Sequence, residues 1–193
     1  MPLSLCIDLS DDERAALLDI ARRSIVNGLD SGAALQLDVT RLDKNLAVDA
    51  AVFVTLTIDG NLRGCIGSLQ ASAALAQAVA NSAFNAAFRD PRFTQLRDDE
   101  VENITIEVSV LSSMELIPLE TRQELLDNLQ PGVDGLLIED QGHRATFLPQ
   151  VWDKISTADE FVGQLMLKAG LSAGHWSSTI RCYRYHSISF AEN

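Results

Sequence analysis

The sequence is poor in cysteine, aromatic residues and basic side chains. Its only cysteines are Cys6, Cys65 and Cys182. An odd number at such wide spacing does not make a disulfide framework, and a reducing compartment fits it. No Cys-x-x-Cys or His-x-x-x-His pair is present, so the spacing of a structural zinc site is missing. Neither a metal nor a cofactor is expected. Lys and Arg number 15 against 27 Asp and Glu, a formal net charge of −12. Nucleic acid and anionic membrane surfaces are bound through clustered Lys and Arg, so both are argued against as partners. Long apolar runs are absent too: Ala50 to Val54 is among the longest and is far too short to span a bilayer. Met1 to Asp8 has no basic n-region and no long apolar h-region, so no signal peptide is expected and the cytoplasm is the expected location.

What is present is a core. Apolar residues make up 47% of 193 residues, enough for one domain with or without a small appended lobe. Ser10 with Glu13 is a capping box that opens a helix carrying Leu17, Leu18, Ala21 and Ile25, with Gly28 as its expected C-cap. Residues 29 to about 48 mix turn residues with scattered Leu and Val and read as a connection. Ala51 to Ile58 is β-branched and reads as a strand, Asp59-Gly60-Asn61 as a turn, and Leu62 to Ile66 as the returning arm. Ser72 to Arg89 is an alanine-rich helix that ends before Asp90-Pro91. Ile104 to Val110 alternates: Ile104, Ile106, Val108 and Val110 face a core, and Thr105, Glu107 and Ser109 face away. A short helix, Thr121 to Leu129, a second hairpin around Asp140-Gln141-Gly142-His143, a helix opened by Thr157 with Glu160, and one last strand, Ile180 to Phe190, complete the reading. Hairpins with helices between them predict an α+β fold with a mainly antiparallel sheet flanked by helices.

The segment Leu62-Arg63-Gly64-Cys65-Ile66-Gly67 carries the chemistry. Arg63 and Cys65 are two apart on an extended strand and so share a face. A guanidinium beside a thiol favours the thiolate. Gly64 and Gly67 permit close backbone approach or positive φ. The segment precedes a helix start, where free N–H groups suit an anion. A reactive thiolate and an anion pocket are both open readings; a small, buried, inert cysteine is the alternative. Glu107, on the polar face of its strand, is a candidate general base or a partner for Arg63. Asp90 and Arg92 flank a proline at a helix exit and read either as a loop-fixing ion pair or as a second polar wall of the site. His175, in the loop Gly174-His175-Trp176, is the histidine placed to close over a cleft. His143 reads as an exposed turn residue. Trp152, Trp176, Tyr183 and Tyr185 read as packing residues.

The hexapeptide resembles the signature of the AMME chromosomal region candidate protein family, whose prokaryotic members are called protein A of the AmmeMemoRadiSam system. Further blocks stand in family order: Phe53-Val54-Thr55-Leu56, Asp90-Pro91-Arg92-Phe93, Ile106 to Leu111, Asp134-Gly135-Leu136, Phe147 to Val151, and Lys168-Ala169-Gly170-Leu171. The resemblance implies a single family domain over residues 1–193. It implies a larger sheet-containing lobe, a smaller lobe, and the hexapeptide beside a cleft between them. Through the name it also implies Memo-like and radical SAM proteins as partners.

Two functions follow. One is a small-molecule enzyme with Cys65 as thiolate and Glu107 as base, in which Arg63, Gly64, Gly67, Asp90, Arg92 and His175 hold the ligand. The other is a non-catalytic ligand-binding or adaptor module. An arginine-centred pocket in an acidic protein points to a small anionic molecule in either case.

Overall fold

Helix α1 runs from Asp11 to Ser31 in a computed structural model of the chain, which describes residues 8–192. Cys6 and most of the amino-terminal segment read above fall outside those residues. The helix starts as its sequence predicts: the Glu13 N–H donates to Ser10 Oγ, and the Ser10 N–H donates to Glu13 Oε2 at 2.8 Å. Its end differs. The helix passes through Gly28 and stops at Gly32, whose φ of 70° is left-handed and whose N–H bonds to the Gly28 carbonyl. Gly28 has a packing role instead, because a Cβ there would lie 2.5 Å from Phe88 and 2.7 Å from Phe84. The connection that follows holds a 3-10 turn, Val39–Arg41, and a one-turn helix α2, Lys44–Ala47.

Strands β1 (Ala51–Ile58) and β2 (Asn61–Gly67) form the expected hairpin. Asp59 and Gly60, with φ of 51° and 76°, make the two-residue turn that matches the twist of the flanking strands. Helix α3 covers Leu75–Phe88 and ends at Arg89, before Asp90-Pro91. Strand β3, Ile104–Leu111, pairs with β1 in a register that sets Val54 opposite Val108 and Thr55 opposite Glu107. Val52, Val54, Leu56, Ile106, Val108 and Val110 bury one face of this sheet against α1 and α3. The two helices are fastened to each other where Ser24 Oγ donates to the Ala80 carbonyl at 2.7 Å.

The chain then builds β4 (Glu115–Ile117), α4 (Arg122–Asn128), β5 (Gly135–Asp140), β6 (His143–Phe147), α5 (Ala158–Lys168) and β7 (Arg181–Tyr185). The order in this sheet is β4-β7-β5-β6. Its core holds Leu125, Leu136, Ile138, Leu165 and Met166, with Trp152 stacked on Phe161 at 3.9 Å between ring centroids.

The last predicted strand is two strands. Strand β7 ends at Tyr185, and β8, Ser187–Ala191, joins the first sheet, whose order is β2-β1-β3-β8. The break is at His186. Its N–H donates to Ser112 Oγ and its carbonyl accepts the Ser112 N–H, both at 2.9 Å. No Gly, Pro, Asn or Asp stands between Ile180 and Phe190 to mark a turn, so the sequence alone does not show the corner. The far end of β8 is anchored by Glu192, which accepts from Arg22 Nε at 2.7 Å and from the Ile106 N–H at 3.0 Å. The fold is therefore α+β, as the hairpin pattern predicts, with two four-stranded sheets flanked by helices. The chain divides into two compact units, one from residues 8–111 with 188–192 and the other Ser112–Ser187. Among the described residues no helix is long and apolar enough to cross a membrane.

Candidate functional site

The hairpin register decides which way Cys65 faces. Ile58 pairs with Asn61 and Thr57 with Leu62, but Leu56 pairs with Gly64. Arg63 is the extra residue of a β-bulge. Without that bulge Cys65 would stand opposite Val54 and point into the core, since a one-residue slip reverses a strand's faces. With it, Cys65 stands opposite Thr55, and Thr55 opposite Glu107. The three form a row on the face turned away from α1 and α3. The Thr55 hydroxyl donates to Cys65 Sγ at 3.3 Å. Two strand spacings, about 10 Å, separate the Cys65 and Glu107 backbones.

Arg63 is not in that row. Its Nε and Nη2 donate to the two oxygens of Glu100 at 2.8 and 3.0 Å, and its Nη1 donates to the Thr94 carbonyl at 2.9 Å. The carboxylate partner of Arg63 is thus Glu100, not Glu107. Arg63 holds the Glu100 carboxyl down to about 2, with burial opposing and the Arg97 N–H assisting.

The cation beside Cys65 is Arg92. Its Nη2 donates to the Cys65 carbonyl at 3.2 Å and to Asp90 Oδ2 at 2.6 Å. Asp90 in turn accepts the Cys65 N–H at 2.9 Å. The pair is lopsided: the Asp90 side chain is 1% exposed and that of Arg92 53%. Asp90 is held well below the usual carboxylate range, first by the Arg92 guanidinium and then, against the penalty of burial, by the Cys65 and Arg92 N–H groups. Asp90 and Arg92 therefore form the loop-fixing ion pair, and they also grip the backbone of Cys65 from both sides.

The two glycines serve close approach rather than positive φ. A Cβ on Gly64 would lie 2.2 Å from the Ala86 carbonyl oxygen of α3, and one on Gly67 would lie 2.2 Å from the Val52 carbonyl oxygen.

His175 belongs to the other compact unit. Its Nε2 lies 2.6 Å from Asp140 Oδ2, and Asp140 also accepts from the Ser177 and Thr179 hydroxyls. His143 Nδ1 meets the Ala169 carbonyl at 2.8 Å. Cys182 is buried between Ile117 and Ile138, and burial pushes its thiol up to about 12. Among the described residues no group of three or more His, Cys, Asp or Glu side chains is arranged to hold a metal ion.

The sequence alone does not single out Thr55 or Glu100. Thr55 is the polar residue between Val54 and Leu56, so alternation puts it on the outer face, but its partner depends on the bulge. Glu100 sits in an acidic run, Asp98 to Glu102, that reads as solvated surface.

A sequence profile of the AMMECR1 family matches residues 18–190. Protein SSO0193 of Saccharolobus solfataricus is 36% identical over 199 residues, covering 96% of this chain and 84% of that protein. A protein of Methanothermobacter thermautotrophicus is 36% identical over 196 residues, with 96% and 97% covered. The crystal structure of the uncharacterized protein PH0010 from Pyrococcus horikoshii superposes with a TM-score of 0.89 at 30% identity, covering 96% of this chain and 94% of that one. The profile spans most of the chain and the relatives match it nearly end to end, so this chain belongs to the AMMECR1 family.

Proposed function

We propose that this protein is a small-molecule enzyme whose reactive group is the Cys65 thiol, working on the outer face of the first sheet. The observation that carries this reading is the Thr55 hydroxyl donated to Cys65 Sγ at 3.3 Å. That hydrogen bond fixes the position of the sulfur, the attacking atom of a cysteine nucleophile, on this face. Arg92 adds positive charge at the same residue, and its exposed edge suits an anionic group on the substrate. Glu107 stands across Thr55 and serves the substrate as acid or base, reaching the thiol only through Thr55 or through the bound molecule. The few, widely spaced cysteines support a reducing cytoplasm as the location.

The test is alkylation of Cys65 by iodoacetamide at neutral pH in a Cys6→Ser background, read from the labelled peptide by mass. Thr55→Val is expected to slow labelling several-fold, and Arg92→Gln to slow it as well. Equal rates in wild type and Thr55→Val remove the support.

A second reading is a ligand-binding or adaptor module that works with the Memo-like and radical SAM proteins implied by the family's association. It is favoured by the architectural partners of Arg63, Gly64, Gly67 and Asp90. Cys65→Ser separates the two. An enzyme loses turnover in this variant, whereas a module keeps its partner-induced or ligand-induced rise in melting temperature.

A further inference from the structure

We propose that the cavity between α3 and the end of the β1–β2 ladder binds a small uncharged carboxamide. The cavity holds about 150 Å³ and lies on the helix side of the sheet, opposite the face that carries Cys65. Val52 and Ile66 form its apolar floor. Asn81, Ser82 and Asn85 project into it from α3, and Ser68, Gln70 and Ser72 line it from the chain that follows β2.

The charge of these walls is the first argument. Among the described residues no Asp, Glu, Lys, Arg or His lines the cavity, in a chain of which 22% is charged. An ionised ligand would lose its hydration there and meet no counter-charge. The second argument is chemical type. Every polar side chain among these lining residues is a carboxamide or a hydroxyl. Ser68 Oγ is engaged with the Gln70 backbone, and the others are of types that both donate and accept, which matches a ligand offering a carbonyl oxygen beside an N–H.

The third argument is orientation. Gln77 accepts the Leu37 N–H on Oε1 at 3.0 Å and donates Nε2 to the Leu35 carbonyl at 2.9 Å. These backbone partners leave only one way round for its carboxamide. Its Nε2 also donates to Asn81 Oδ1 at 3.0 Å, so that oxygen of Asn81 is engaged and its NH₂ remains as a donor on a residue that lines the cavity.

The fourth argument is placement on the helix. Ala78, Asn81, Ser82 and Asn85 follow the i, i+3, i+4, i+7 spacing of one helix face. That stripe lies beside Leu75, Val79 and Ala83, which are fully buried, and Ser82 itself is only 7% exposed. Size then limits the ligand to a fragment, because pockets for drug-sized molecules hold roughly 300–1,000 Å³.

The experiment is an NMR titration of ¹⁵N-labelled protein with two probes of one shape, nicotinamide (neutral) and nicotinate (a carboxylate). Nicotinamide is expected to shift the amide signals of Gly67, Ser68, Asn81, Ser82 and Asn85, and nicotinate to bind at least tenfold more weakly. Asn81→Leu and Asn85→Leu, each checked for folding by circular dichroism, are each expected to weaken nicotinamide at least tenfold. The proposal is overturned by no shifts at these residues, by equal binding of the two probes, or by unchanged affinity in both folded variants. If neither variant folds, the contrast between probes in the wild type decides alone. Labelling of Cys65 reports on the other face of the sheet, so either reading can fail without the other.

Discussion

Arg63 and Glu100 meet fork to fork, both nitrogen–oxygen distances at or below 3.0 Å, with side chains 13% and 16% exposed. An arginine in the middle of the hexapeptide is thereby spent on fixing the loop 94–100 to β2. Glu100→Gln is expected to destabilise the protein by about 1–3 kcal/mol near pH 6, the range for a largely buried pair that loses one charge. The pH dependence has a definite sign. The folded carboxyl lies at about 2 against an ordinary value of 4.5. Its contribution is therefore complete above pH 4.5 and is lost as the pH falls toward 2. Urea midpoints measured from pH 6 to pH 2 should show the gap between wild type and variant closing over that window.

Gly64 offers a sharper steric test. Gly64→Ala would press a methyl group into the backbone of α3 at Ala86, which cannot yield as a flexible side chain would. A loss of about 3 kcal/mol is expected, as for an overpacked core site. The control is Gly174→Ala: nothing lies within 4 Å of an added Cβ there, and the change should stay within about 0.5 kcal/mol.

The two described cysteines should differ in a simple count of labels. In a Cys6→Ser background the native protein is expected to take one alkyl group, at Cys65, and the urea-unfolded protein two. Cys182 is silent in the fold because burial pushes its thiol up to about 12, leaving almost no thiolate at neutral pH. Labelling of native Cys182 at a rate near that of Cys65 contradicts the packing described.

Asp140 is the post of a three-way clasp on the loop 172–180. Thr179, His175 and Ser177, in that order, lower its pKa, so its stabilising effect is present above its ordinary value of 3.8 and fades below it. Thr179→Val removes one donor from a carboxylate with a 1% exposed side chain. Amide exchange across 172–180 should speed up several-fold, with exchange elsewhere unchanged.

Much of the fold can be read from local chemistry. The Ser10–Glu13 cap, the Asp59-Gly60 turn and the alternation of β3 each depend on residues a few positions apart, and each is found where its sequence puts it. What escapes such reading is settled by partners far along the chain. The corner at His186 depends on Ser112, and the packing role of Gly28 depends on Phe84 and Phe88 of α3. The candidate site divides the same way. Gly64 and Gly67 are legible as positions of close approach or positive φ, and the structure gives close approach. The facing of Arg63 and Cys65 is not, because a bulge is a property of two strands and shows in neither alone.

The strand that completes the first sheet is the last one in the chain. Residues 8–111 carry the other three strands and both large helices of that unit, yet their edge is closed by β8 and their Arg22 is met by Glu192, 170 positions later. On the ribosome the first unit must wait, with the edge of β3 open and Arg22 unmatched, until the whole of Ser112–Ser187 has been synthesised. The unit translated second is the one whose strands are all in hand first, so the order of synthesis and the order of completion are reversed.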